Sequence, residues 1–186
     1  MTRIGLFAAV LLAACCMALP SRAQDTNMKK EPKPALSSAG ALLEEWNDLG
    51  RRIIAIAEDM PEDKFDYKPK PEMRSWAGQV NHIAEGNYYF INPVTGKPMP
   101  KEGADTQIKS RAELVAVVKK SFQDGADLIK TQGDAGMAKT VDAGGQMMRI
   151  DALAYDLVAH GNEHYGQIVV YYRLNGLVPP ESRPKK

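Results

Sequence analysis

The chain has 186 residues, with 24 basic and 23 acidic side chains, three histidines and a formal net charge of +1. So even a balance excludes the basic footprint of a nucleic-acid binder, and the length suits one domain with a full core. Both cysteines, Cys15 and Cys16, fall in an apolar run near the start, so the rest of the chain offers no disulfide, thiolate nucleophile or cysteine metal ligand.

Residues 1–23 are expected to be a signal peptide. Arg3 gives a short positive start, Ile4 to Leu19 form the apolar run, and Ser21 and Ala23 are the small residues at −3 and −1 of a cut after Ala23. The run is too short for a comfortable membrane span. Export to the periplasm or beyond is therefore expected, with no stable membrane span left after cleavage. Leu12-Ala13-Ala14-Cys15 also fits a bacterial lipoprotein box, a minority alternative that would anchor the protein by lipid on Cys15. That reading leaves Leu19 to Ala23 without a purpose. Residues 24–36 are polar and proline-containing with no apolar period, and read as a flexible linker.

A first helix is predicted from about Ser38, where Leu42, Trp46, Leu49, Ile53, Ile56 and Met60 recur at steps of four and three. Pro61 ends it. The charged, proline-rich stretch to Pro71 reads as an extended connection pinned to the bundle by Phe65 and Tyr67. Ser75 is the N-cap expected for a second helix, with Trp76, Val80, Ile83, Asn87 and Phe90 on one face. His82 lies at the edge of that face, beside Gln79, Gly86 and Tyr89, and the helix should end before Pro93. Pro93 to Lys109 is a long turn-rich stretch able to cross one end of a bundle.

Ser110-Arg111-Ala112-Glu113 is a capping box and opens a third helix, with Leu114, Val117, Val118, Ser121, Gly125 and Leu128 facing inward. Gly133, Gly136, Gly144 and Gly145 are placed in a mobile connection, with Met147 and Met148 as packing residues. A fourth helix runs from about Ile150 to Asn175, stopped by Gly176 with Pro179 beyond. Its stripe is Ile150, Leu153, Ala154, Leu157, Gly161, His164, Ile168 and Tyr171, with His160 on the shoulder. No strand-like alternation competes. The reading is all-α: a four-helix bundle over residues 37–180 with a long crossover connection, followed by a solvated basic tail at 181–186. Bundle faces of this kind often pair, so a homodimer is open to it.

His160 and His164, four apart, leave the same helix face, and His82 would complete three ligands from a second helix. Three imidazole nitrogens suit zinc with a position left for water; nickel, manganese, iron and cobalt are open to the same donors. An H-x-x-x-H pair alone arises often by chance, and a lone histidine on a helix shoulder is more often a core or rim residue. Here all three histidines lie on or beside inward faces, and a buried polar group needs partners. Glu85 and Glu163, each three residues after a histidine, are candidate general bases or imidazole-orienting partners, against the blander reading of solvated flank charges. Asp156 and Gln167 call for the same caution. A di-iron carboxylate site is disfavoured, because the order Glu-x-x-His is reversed here. The paired tyrosines 88, 89, 171 and 172 read as amphipathic packing more than as a pocket mouth.

Three stretches resemble the DinB-like family of four-helix-bundle metalloproteins: Arg74-Ser75-Trp76 leading to Asn81-His82-Ile83-Ala84-Glu85, then His160 to Gln167, then Tyr171-Tyr172-Arg173-Leu174-Asn175-Gly176-Leu177-Val178-Pro179. The resemblance implies a divalent metal held by His82, His160 and His164. The family more often has arginine where this chain has Tyr165, which leaves that arginine's contribution without a counterpart here. Implied too is metal-dependent hydrolysis of an unknown small molecule. The alternatives are a non-catalytic metal- or ligand-binding bundle and a metal-dependent thiol transferase, the last suiting an exported protein poorly.

Overall fold

The computed structural model describes residues 35–100, 108 and 110–184. The residues read as a signal peptide, the lipobox and most of the linker lie outside the described residues; the body of the fold begins at Ala35.

Helix α1 spans Ser38–Asp59. Ser37 sets its start, the hydroxyl accepting from the Gly40 amide at 3.1 Å. Met60 leaves the helical region with ψ 131° and Pro61 follows, so the ladder stops. Every seam residue, from Leu42 to Met60 through Trp46, Leu49, Ile53 and Ile56, is no more than 1% exposed. At roughly 1.5–3 kcal/mol each before ordering costs, these six side chains are a large part of what holds the helix in place. The connection that follows is not wholly extended: it holds a 3₁₀ turn at Glu62–Lys64. Its aromatics pin it as expected, Phe65 against Trp76 with centroids 5.1 Å apart and Tyr67 edge-on to Tyr171 at 6.2 Å.

Helix α2 spans Trp76–Val94, and Ser75 caps it by accepting from the Gly78 amide at 3.1 Å. It does not end before Pro93, which lies within its last turn. A proline this late removes only the one bond it would give to the Tyr89 carbonyl. Thr95 closes the turn instead, its amide and hydroxyl reaching the Ile91 carbonyl at 3.1 and 2.8 Å.

Helix α3 spans Arg111–Met137 and starts at Ser110, whose hydroxyl accepts from the Glu113 amide at 3.2 Å. Its buried stripe is Leu114, Val118, Ser121, Phe122, Gly125, Ala126 and Ile129; Val117 and Leu128, expected inside, are only half-buried. Gly133 breaks this helical span (φ 55°, ψ −174°), and Gly136 lies in the short helical turn that follows the break, before the expected connection. That break brings the Asp134 carboxylate onto the Ala39 amide at 2.7 Å, where it caps the start of α1.

The expected mobile connection is instead a small antiparallel hairpin, β1 (Thr140–Asp142) with β2 (Met147–Arg149), in the register Thr140↔Arg149 and Asp142↔Met147. Gly144 and Gly145, both at positive φ, make its turn. Three-residue strands are too short to show alternation. Met148 packs on the core as expected, but Met147 is 64% exposed.

Helix α4 spans Ile150–Leu174 and stops at Gly176 (φ +70°) as expected. A 3₁₀ turn at Pro180–Ser182 follows. The start of the tail is docked on α1 rather than free: the Arg183 guanidinium holds Asp59 at 2.7 and 2.5 Å, and Glu181 holds Arg51 at 2.6 Å. Lys185 and Lys186 lie outside the described residues.

Side-chain pairs along the helices fix their directions. Helix α1 is antiparallel to α3, since Ala39 meets Asp134 and Met60 meets Arg111. Helix α2 is antiparallel to α4, since Arg74 meets Tyr171 and His82 meets His160. Helix α4 runs parallel to α1, since Leu49 meets Gly161 and Ile56 meets Tyr172. Helices α2 and α3 are therefore parallel neighbours, while the consecutive pairs α1/α2 and α3/α4 lie across the diagonals and scarcely touch. Thr95 and Ser110 sit at opposite ends of the bundle, so the connection has to join those two ends. The crossover is present, but it does not merely cross one end: composition and length reveal a long connection, not its direction.

At the centre, Trp46 donates its indole N–H to the Phe122 carbonyl at 2.9 Å and meets Phe90 and Phe122 edge-on. Gly125 makes room for it; a Cβ there would lie 2.1 Å from the indole. Gly161 does the same for Leu49, letting α1 and α4 approach closely.

Candidate metal centre

Antiparallel packing of α2 on α4 brings the three histidines to one level of the bundle. Nε2 of His160 lies 3.2 Å from Nε2 of His82 and 3.0 Å from Nε2 of His164. One ring nitrogen from each residue lies within 4.8 Å of the others. The rings stand edge-on to one another, with centroids 4.3, 4.8 and 5.1 Å apart. His164 is buried; His82 and His160 are half-buried.

His82 and His160 are biased toward the neutral imidazole, the form that binds metals. Burial pushes His82 down to about 4, helped by the positive charge of Arg74 and by the other two imidazoles. Burial and His164 lower His160, and Glu163 opposes this in part. Three nitrogens at about 2.0–2.1 Å from one tetrahedral ion lie about 3.3–3.4 Å from each other. Two of the three separations fall just under that value and the third lies within 4.8 Å, so the three imidazoles gather as a donor set suited to a divalent metal that draws His82 and His164 together, and no carboxylate belongs to the cluster among the described residues.

Each ring is placed differently. His160 carries its Nδ1 buried with no hydrogen-bond partner. Its orientation comes from packing on Gly86 of α2, where a Cβ would lie 2.9 Å from the ring Cε1 and 3.3 Å from Nδ1. Nδ1 of His164 lies among two amides, 2.6 Å from Nε2 of Gln79 and 2.8 Å from Oε1 of Gln167. The sequence shows Gln79 and Gly86 beside His82 on the helical wheel, yet their partners prove to be the histidines of the opposite helix. Only a known α2/α4 register could have revealed that.

Glu85 accepts from the buried Asn81 amide at 2.8 Å. Glu163 is exposed and accepts from Gln167 at 3.3 Å. Asp156 is exposed on the outer flank of α4. The tyrosines serve packing: Tyr88 bonds Asp124, Tyr171 the Arg74 carbonyl, and Tyr172 the Ile56 carbonyl. Beside Tyr165, Arg52 of α1 lays a guanidinium over the ring at 5.0 Å and donates to Asn162 at 3.0 Å.

Fold and cluster together define a four-helix-bundle protein with a three-histidine donor set suited to a divalent metal. The chain belongs to the DinB family, whose model matches residues 28–183. Its fold is similar to the crystal structure of a DinB-like protein from Bacillus cereus ATCC 10987, at 18% identity and TM-score 0.65 over 75% of this chain and 93% of that one. It is similar also to the DinB-like YjoA of Bacillus subtilis, at 21% identity and TM-score 0.61 over 78% and 99%. A third likeness is YfiT of Bacillus subtilis, described as a probable metal-dependent hydrolase with an unusual four-helix bundle topology, at 16% identity and TM-score 0.59 over 79% and 94%. No curated protein matches the chain.

Proposed function

We propose that His82, His160 and His164 bind one divalent transition metal through their Nε2 atoms, zinc before nickel, manganese, iron or cobalt, and that the protein is an exported metal-dependent hydrolase. The observation that carries this reading is the convergence of three imidazoles, with Nε2 separations of 3.0 and 3.2 Å about His160, in a bundle packed mainly with apolar side chains. The description of YfiT supports the reaction class by analogy of fold. A bound metal would supply Lewis acidity and a lowered pKa for coordinated water. The chain's own part is to hold three donors on α2 and α4, leave a position open, and offer Glu85 or Glu163 as the group that takes up a proton. The substrate is a small molecule of unspecified class. Thiol transfer is the weaker alternative, because low-molecular-weight thiols are mainly cytoplasmic. Export rests on residues 1–23 alone, and mass analysis of the mature N-terminus tests it.

A second reading has its own observation: the cluster bridges α2 and α4 with His164 only 9% exposed, which is where a purely structural staple would sit. Metal analysis of untagged protein decides first. We expect one equivalent of metal and a rise in Tm on adding zinc, nickel or manganese; neither would appear if the histidines were only core residues. His164→Ala then separates the two. A small loss of stability with altered hydrolysis of an ester, amide and lactam panel supports the enzyme, whereas a large loss of stability supports the staple.

A further inference from the structure

We infer that Gln167, braced by Gln79, is the positioning residue that decides which nitrogen of His164 carries the proton. This rests on the metal reading above. A neutral imidazole has one N–H and one lone pair. For Nε2 of His164 to face a metal with its lone pair, the proton must stay on Nδ1, and there it needs an acceptor. Oε1 of Gln167 lies 2.8 Å from Nδ1 and is that acceptor. Nε2 of Gln79 donates to the same oxygen at 2.6 Å and holds it in place. Gln79 is itself only 4% exposed, so its amide has little freedom to turn elsewhere.

The same triangle also serves the other tautomer. The Gln79 amide nitrogen lies 2.6 Å from Nδ1 and can donate to it when the proton sits on Nε2. That Nε2–H then has His160 Nε2 as acceptor at 3.0 Å. His164 therefore has a partner in either state, a donor from α2 and an acceptor from α4. From the Nε2–H tautomer, metal entry at this ligand needs the proton moved to Nδ1 with no net loss; from the Nδ1–H tautomer it needs no proton movement. His160 has no such arrangement, since its Nδ1 has no partner. Outer partners of this kind orient the ring and raise its basicity, and their loss typically costs about 10–100-fold in metal affinity.

The test compares the purified protein with Gln167→Met, which removes the acceptor, and Gln167→Glu, which keeps one. Residue 167 is exposed, so both variants should fold and melt, metal-free, as the wild type does. Zinc affinity is read by competition with a chromophoric chelator, and the His164 tautomer by ring ¹⁵N NMR of the zinc-loaded protein. We expect Gln167→Met to bind zinc about tenfold or more weakly, Gln167→Glu to stay within about threefold of wild type, and Nδ1 to be the protonated nitrogen in the wild type. Equal affinity of Gln167→Met and wild type, or equal losses in both variants, would overturn the role of Gln167 alone. A wild type that binds no zinc, nickel or manganese overturns the metal reading itself, and the two failures are thereby distinguished.

Discussion

Gly86→Ala is the sharpest test of how the cluster is built, because it adds one methyl group and replaces no ligand. The new Cβ would lie 2.9 Å from Cε1 of His160 and 3.3 Å from its Nδ1. Carbon atoms in contact sit about 3.5–4.0 Å apart, so ring or helix must retreat by about 0.6 Å or more. Functional constellations tolerate about 0.5 Å of misplacement. With His160 Nε2 drawn away from its two neighbours, we expect metal affinity to fall about tenfold or more, the order seen when a ligand loses its orienting partner. The fold itself should suffer little. Alanine is more favourable than glycine inside a helix by about 1 kcal/mol, and overpacking costs about 1–3 kcal/mol, leaving a net loss of about 0–2 kcal/mol in the metal-free protein. Chelator competition reads the first quantity and a metal-free denaturant melt the second. Unchanged zinc affinity in a folded Gly86→Ala protein would refute the claim that this glycine places His160.

Two further outcomes are expected. Metal-free protein should lose stability as pH falls from about 6.5 toward about 4, because His82 binds its proton only near 4 in the fold but at 6.5 when unfolded, so the unfolded state takes up more protons in that window. Urea melts across this range check it, with a flat profile refuting it; the carboxylates held low by arginines, Asp59 and Asp48, act only below their ordinary 3.8. Gly125→Ala places a Cβ 2.1 Å from the Trp46 indole, a rigid ring locked by its own hydrogen bond, and should destabilise the protein by about 1–3 kcal/mol or more despite the better helix former. A Gly125→Ala protein as stable as wild type in denaturant would show that Trp46 can move.

The seam of α1 and the stripe of α4 could be read directly, since a step of three and four over six or more positions has no other regular solution. The histidines were legible for the same reason, each falling at a computable angle on its helix. What could not be read depended on how helices meet. Gln79, Gly86 and Gln167 acquire their roles only when α2 lies against α4 in one register. The helical Pro93 and the continuation of α3 past Gly133 are cases where local preference yields to neighbours: Thr95 supplies a substitute bond, and the break at Gly133 delivers Asp134 to the start of α1. The hairpin escaped because its two strands are shorter than a single period of alternation can reveal.

The pairing of helices that are far apart in the chain has a consequence for how the protein reaches its native state. In an up-and-down bundle each new helix closes on the one just made, and the early contacts are local. Here α1 must wait for α3 and α4, and α2 completes its packing only with α4, while the neighbours α2 and α3 are parallel and joined by a long connection, so most stabilising contacts close long loops, which slows folding relative to other bundles of this size. A nascent polypeptide still lacking α4 could pack α1 and α2 on α3, but it would have no second wall for the histidine of α2 and no partner for Leu49 at Gly161.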